Sequence, residues 1–158
     1  MLIDKTIPAV TDLIPHRGSM LFLDTVLHAD KESCTAQYTP QAGAWYLNAN
    51  GAMPAWISIE IMAQTIAAHT GEMRRQIGLL PKQGVLLGTR SLKSTCPAFA
   101  PGVTLQIVAR VSFWGEGGLA AYECSIATAA APHEVLASAI LKVFEPEDFG
   151  TFLEERVA

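Results

Sequence analysis

The sequence predicts an α+β fold in which an antiparallel β-sheet wraps around one long central helix. Three observations carry that expectation. The segment from Pro54 to Ile77 has helical length and is apolar nearly all round between Ala55 and Ala68, a pattern that means burial on most faces. Four later segments of about ten residues are rich in strand-forming side chains and separated by turn signals. No repeat, low-complexity tract or linker divides the 158 residues, so residues 1–158 are expected to form a single domain with a sizeable core.

The elements follow in order. Up to about Ser19 the chain carries Pro8, Pro15 and Gly18 and reads as a loop-rich approach with room for one short helix. Residues 21–29 (LFLDTVLHA) and 32–39 (ESCTAQYT) alternate apolar with polar on either side of Asp30-Lys31 and form an expected strand pair. A loop, QAGAWYLNANGAM, leads to the helix. Proline suits a first helical turn, where its missing N–H would go unpaired anyway. Gly78 stands where a C-terminal cap is needed, and Pro81 prevents continuation. The segments 85–93, 103–113, 119–128 and 134–144 are the expected long strands, separated by PAFAPG, GEGG and AAAPH. GEGG joins two strands and opens no helix, so it is a hairpin turn and not a phosphate loop. The tail EDFGTFLEERVA is charged with a few aromatics and is expected to lie on the surface or dock on a partner.

Composition narrows the function. Half of the residues are hydrophobic and 16% are charged, below the usual quarter; much surface is buried, including a subunit interface. A net charge of −4 argues against general capture of nucleic acid. The start, MLIDKTIPAV, lacks the basic and apolar regions of a secretory leader. A membrane-spanning helix needs about 20 predominantly apolar residues, and residues 52–68 are interrupted by Pro54, Ser58, Glu60 and Gln64, so no span is expected. Cys34, Cys96 and Cys124 stand far apart without a CxxC pair, which fits free thiols in a reducing cytoplasm. No set of side chains has metal-ligand spacing, and neither metal nor cofactor is expected.

Glu60 is the ionisable side chain that stands alone between Met53 and Ala68. Burial would raise the pKa of such a carboxyl, and a carboxyl that exchanges protons near neutrality serves general acid-base chemistry. Gln64, four residues on, shares its helical face and can hold it in place. The competing account is a structural glutamate satisfied by the backbone or by Gln64. His16 lies in IPHRGS, where Pro15 and Gly18 fix a loop able to present an imidazole; alone, it is equally a turn residue. His28 and His133 are expected to face solvent, and His69 is out of phase with Glu60 and structural. The unpaired N–H groups at the helix start, around Ala55 and Trp56, could polarise a thioester carbonyl, although every helix has such an end.

Two segments carry a resemblance. LIPHRGSMLFLDTV (13–26) is similar to the LPHRxPFLLVDRV segment of the FabZ-type 3-hydroxyacyl-[acyl-carrier-protein] dehydratases, and AMPAWISIEIMAQ (52–64) to their VMPGVLxxEAMAQ. CPAFAPGVTLQI then resembles the family's PVxPGDxLxxEV. The resemblance implies a hotdog fold, a dimer, and a histidine from one subunit facing a carboxylate from the other. On that pattern His16 removes the C2 proton, Glu60 protonates the departing C3 hydroxyl, the Ala55 N–H binds the thioester oxygen and Gln64 orients Glu60. The family's GHFP element is absent from GAWYLNANGAMPA, and Ala55 replaces a glycine. The short IPHRGSM motif and the AWYL loop resemble the divergent dehydratases of aryl polyene gene clusters, the ApeP-like group, whose substrates would be polyene-forming thioesters and whose dimer partner would be a sister dehydratase.

An acidic acyl carrier protein would need positive charge near the cavity mouth; Arg74, Arg75, Lys82, Arg90 and Lys93 are the expected docking residues. Two other readings stay open. One is an acyl-thioester hydrolase on the same fold, which fold alone does not exclude. The other is a non-catalytic subunit that supports a related dehydratase, in a heterodimer instead of a homodimer.

Overall fold

The computed structural model describes residues 6–157. The first five residues of the MLIDKTIPAV stretch lie outside them. A short helix α1 (Val10–Leu13) and a 3-10 turn (Gly18–Met20) precede β1 (Thr25–Ala29) and β2 (Ser33–Tyr38). The two-residue strand β3 (Met53–Pro54), a 3-10 turn (Ala55–Ile57) and the long helix α2 (Ser58–Gln76) follow. Then come β4 (Val85–Ser94), the two-residue β5 (Ala98–Phe99), β6 (Leu105–Trp114), β7 (Leu119–Thr128), β8 (Ala137–Phe144) and α3 (Phe149–Val157). Six strands form one antiparallel sheet in the order β1-β2-β6-β7-β8-β4, and β3 pairs with β5.

The sheet's inner face explains the alternation seen in the sequence. On β2 Cys34, Ala36 and Tyr38 are buried, on β6 Leu105, Ile107 and Ala109, and on β8 Ala137, Ala139, Leu141 and Val143. These close over Ile61, Met62, Ile66 and Ala68 of α2. Burying each large aliphatic side chain contributes roughly 1.5–3 kcal/mol. Cys34 and Cys124 are core residues, as expected, and desolvation pushes each thiol up to about 12.

His69 is structural too. Its Nε2–H donates to the Asp30 carbonyl (2.6 Å) and its Nδ1 accepts from the Tyr122 hydroxyl (2.8 Å), which ties α2 to β7 and to the β1–β2 turn. Burial is the main cause that pushes its pKa down, so the ring is held neutral.

The ends of α2 differ in character. At the C-terminus Gly78 adopts φ 78°, its N–H donates to Arg75 O, and the Leu79 N–H donates to Arg74 O; that is a Schellman cap. At the N-terminus the expected start at Pro54 is displaced. Pro54 is extended and pairs with Ala98 in the small sheet, so the α-helix begins at Ser58 after one 3-10 turn. The first strand also begins later than the alternation predicts, because Phe22 and Leu23 are both buried and the Phe22 N–H bonds to a side chain, not to the sheet. The tail forms α3, whose Phe152 packs on Phe144 of β8 at 5.5 Å. It docks on its own sheet.

Gly71 lets α1 approach α2. A Cβ there would lie 2.3 Å from the Leu13 carbonyl oxygen. Glycine to alanine inside a helix ordinarily stabilises by about 1 kcal/mol, whereas forced overpacking costs about 1–3 kcal/mol or more. The neighbour is backbone, so the clash wins: Gly71→Ala is expected to lower the urea midpoint, and an unchanged or higher midpoint would contradict this packing.

Candidate active site

Four side chains build the site: His16, Arg17, Glu60 and Gln64. Arg17 staples the turn after α1, donating through Nη1 to the Ile14 and His16 carbonyls and through Nη2 to that of Thr11, each at 2.7 Å. This fixes the backbone that carries His16. Gln64, 1% exposed, joins that segment to the helix. Its Oε1 accepts from the Phe22 N–H (2.8 Å), while its Nε2 donates to the Met20 carbonyl (2.8 Å) and to Glu60 Oε1 (2.9 Å). One carboxamide thus bonds both to the carboxylate and to the chain just beyond His16.

His16 Nε2 comes to 3.7 Å from Glu60 Oε1. Both residues belong to one chain, whereas the family resemblance implies partners from opposite subunits. Their side chains are 29% and 39% exposed; the expectation that Glu60 is sealed in the core is corrected, because its helical face opens on a cavity. That cavity, of about 290 Å³, is lined by Pro15, His16 and Glu60 at one part, by Ala63 and Ala67 along the helix, and by Val85, Leu86, Val143 and Phe149 opposite. The positions 60, 63, 67 and 70 recur at helical spacing and form one stripe of α2, with alanines where larger side chains would fill the space. His16 Nδ1 is buried and has no hydrogen-bond partner within the described residues, so Nε2 is the nitrogen turned to the carboxylate.

The arrangement suits acid-base work on a small segment of an apolar molecule. A gap of 3.7 Å is too long for a good hydrogen bond, so the two groups lie side by side on the cavity wall without being locked to each other. The other histidines take no part: His28 pairs with Asp30 at the surface (2.8 Å), and His133 is exposed.

The helix start departs from expectation. The Ala55 N–H already donates to the Pro97 carbonyl at 2.9 Å, so it is not free to bind a thioester oxygen. Trp56, 62% exposed, is the next residue of the same turn.

The five basic residues do not form one patch. Lys82 lines the cavity, and Arg74 and Lys82 line an adjoining groove with Trp114 and Glu145. Arg75 is committed to buried Glu72 by two hydrogen bonds, at 2.7 and 2.8 Å, which holds its guanidinium pKa up. Arg90 and Lys93 lie away from the cavity on β4. Arg17, Glu145 and Phe149 escaped the sequence reading; for Arg17 the signal was its place beside His16 in PHR.

The fold has counterparts among known proteins. In structure the chain is similar to a subunit of the dehydratase heterocomplex ApeI:P from Xenorhabdus doucetiae, at TM-score 0.86 and 27% identity, covering 95% of this chain and 97% of that one. It also resembles the virulence protein Cj0977 of Campylobacter jejuni (TM-score 0.65, 11% identity, 88% of each chain). The E. coli PaaI protein of the phenylacetic acid degradation operon follows at TM-score 0.58 and 18% identity, covering 76% of this chain and 81% of that one. The last two likenesses concern the hotdog fold alone. A search of curated proteins returns no match. The model of the ApeP-like family, described as ApeP dehydratase, matches residues 8–154, and the chain belongs to that family of hotdog-fold dehydratases.

Proposed function

We propose that this dehydratase removes water from 3-hydroxyacyl thioesters presented by an acyl carrier protein, in the building of an aryl polyene or a related fatty-acid-like chain. The observation that carries the reading is the His16–Glu60 approach of 3.7 Å at the wall of an apolar cavity. His16 Nε2 takes the proton from C2, the electron pair forms the C2–C3 double bond, and the C3–O bond breaks. Glu60 gives its proton to the departing oxygen, so water leaves. Transfer of the proton from His16 back to Glu60 restores the pair. The Trp56 N–H, not that of Ala55, is the proposed donor to the thioester oxygen, and the acyl chain runs along Ala63 and Ala67.

A base at Nε2 carries its own hydrogen on Nδ1. That nitrogen is enclosed by this chain and has no acceptor among the described residues, so a second subunit reaches it only if the side chains around it move. The match to a subunit of a dehydratase heterocomplex supports pairing with a related dehydratase. Of the basic residues, Lys82, which lines both the cavity and the groove, and Arg74, which lines the groove, are the best placed to meet an acidic carrier.

His16→Ala and Glu60→Gln should each lower kcat/KM for a 3-hydroxyacyl thioester by about 10²–10⁴-fold, read as 2-enoyl product by mass spectrometry. Full activity in either variant sinks the mechanism, and release of free thiol in place of the enoyl product would mark a hydrolase. Gln64→Ala leaves the buried Phe22 N–H unpaired, at a cost of about 1–3 kcal/mol. It should lower both the urea midpoint and kcat; an unaltered kcat would show that Glu60 needs no such support. Arg74→Glu should raise KM for carrier-bound substrate and leave KM for the free pantetheine thioester unchanged, and equal effects on both would remove Arg74 from docking.

A further inference from the structure

α3 stands outside the six-stranded sheet, yet it contributes a side chain to the wall of the cavity. Its start is closely set. The Glu145 N–H donates to the Gly118 carbonyl (3.0 Å) as the chain leaves β8, and Pro146 is buried. The Thr151 N–H then donates to Asp148 Oδ1 (2.8 Å) and the Phe152 N–H to the Asp148 carbonyl (3.1 Å). Asp148 is thus the N-cap, and Phe149 is the first helical residue.

The two phenylalanines of α3 divide the work. Phe152 packs on Phe144 of β8 at 5.5 Å and lies under the Arg156 guanidinium at 5.4 Å, which holds the helix against the sheet. Phe149 meets Phe152 with 6.4 Å between ring centroids and is half-buried, with the cavity beside it. The other side chains described between Gly150 and Arg156 are exposed. Anchoring therefore falls to Phe152, and Phe149 is left to the cavity.

On the helix side that cavity is lined by Ala63 and Ala67. Val85, Leu86 and Val143 line it from the sheet, where each is held in a paired strand, Val85 opposite Phe144 and Leu86 opposite Val143. Phe149 is the largest apolar side chain of the lining, and no ladder fixes it. A ring on one side and alanines on the other decide how much room is left, because close-packed surroundings register even one added methylene.

We infer that Phe149 determines how much acyl chain the cavity admits, with α3 setting the limit from outside the sheet. A hydrocarbon that fits gains about fourfold in affinity per buried methylene. One that reaches the ring has to displace it or stay in water, and gains nothing further. Trimming and enlarging this side chain consequently move the limit in opposite directions. A merely structural aromatic behaves otherwise, since damage from either change weakens the binding of every chain length alike. The inference rests on the acyl-thioester reading above, but binding tests it without catalysis.

S-alkyl pantetheine thioethers of increasing chain length, which have no hydroxyl to lose, are titrated into the full-length protein by calorimetry. With wild type the affinity should climb and then level at a limiting length. Phe149→Ala should move that limit to longer chains, with about a tenfold gain for the first two carbons beyond it. Phe149→Trp should move it to shorter ones. A limit that stays in place, one that moves the same way in both variants, or an affinity that never depends on length overturns the inference. Where Phe149→Ala unseats α3, Phe149→Trp decides alone, and an unshortened limit there counts against the proposal. Matching 3-hydroxyacyl thioesters are followed for enoyl product in parallel. Enoyl formation with an unmoved limit defeats this inference alone, while opposite shifts without enoyl formation defeat the reaction alone.

Discussion

Gln64 is a neutral side chain, yet the relation between the two halves of the site runs through it. Its carboxamide uses both ends: the oxygen meets the Phe22 N–H, and the nitrogen meets the Met20 carbonyl and Glu60. At 1% exposure no solvent competes for these bonds, and a buried bond left unmade is costly. Phe22 is fixed further by edge contacts to Tyr38 and Trp45, so the segment after His16 is held from two sides. Arg17 holds the segment before it. The imidazole and the carboxylate are thus each fixed relative to a common point, and their separation is a property of the fold more than of their own attraction.

The cavity follows from the same helix. The sheet covers the faces of α2 that carry Ile61, Met62, Thr65 and Ala68, while the stripe with Glu60, Ala63 and Ala67 faces β4, β8 and Phe149 across open space. Alanine at two of those positions is what keeps the space open. A helix that is apolar nearly all round has every face buried or facing a ligand, and the one face with small side chains and a carboxylate is the face turned to the cavity.

How much of this was legible in the sequence depends on the range of the interactions. The long helix and the long strands were, because their periodicity is local and strong; Gly78 capped where expected because a left-handed C′ residue is a local demand. β1 was misjudged at its start because Phe22 bonds to Gln64 across 42 residues, and no local pattern records that. The start of α2 was misplaced, and the Ala55 N–H with it, because a two-residue strand pairs Pro54 with Ala98. α3 was missed because its few aromatics gain their meaning only against Phe144. Glu60 and Gln64 were legible as a pair, since four residues along a helix fix their contact. That His16 meets Glu60 within one chain was not, because it depends on how α1 approaches Gly71.

Departures from ordinary protein chemistry are few here, and two of them lie in or beside the site. His16 Nδ1 and Ser58 Oγ are buried without partners among the described residues, one beside Glu60 at the cavity and the other at the first turn of α2. Ser91 holds a backbone conformation that strains any residue but glycine, on an open edge. Trp56 exposes 62% of its surface at the helix start, and Leu87 exposes 52% on β4. A core of this size can satisfy buried polar atoms, as His69 and Tyr122 demonstrate, while Trp45, Phe113 and Trp114 stay as open as Trp56, each more than half exposed. Both unsatisfied atoms are enclosed by this chain, so another molecule reaches them only if the side chains around them move. The enclosed atoms are thus a cost the fold bears at the site, whereas the exposed aromatics and leucines are surface that a second molecule can cover.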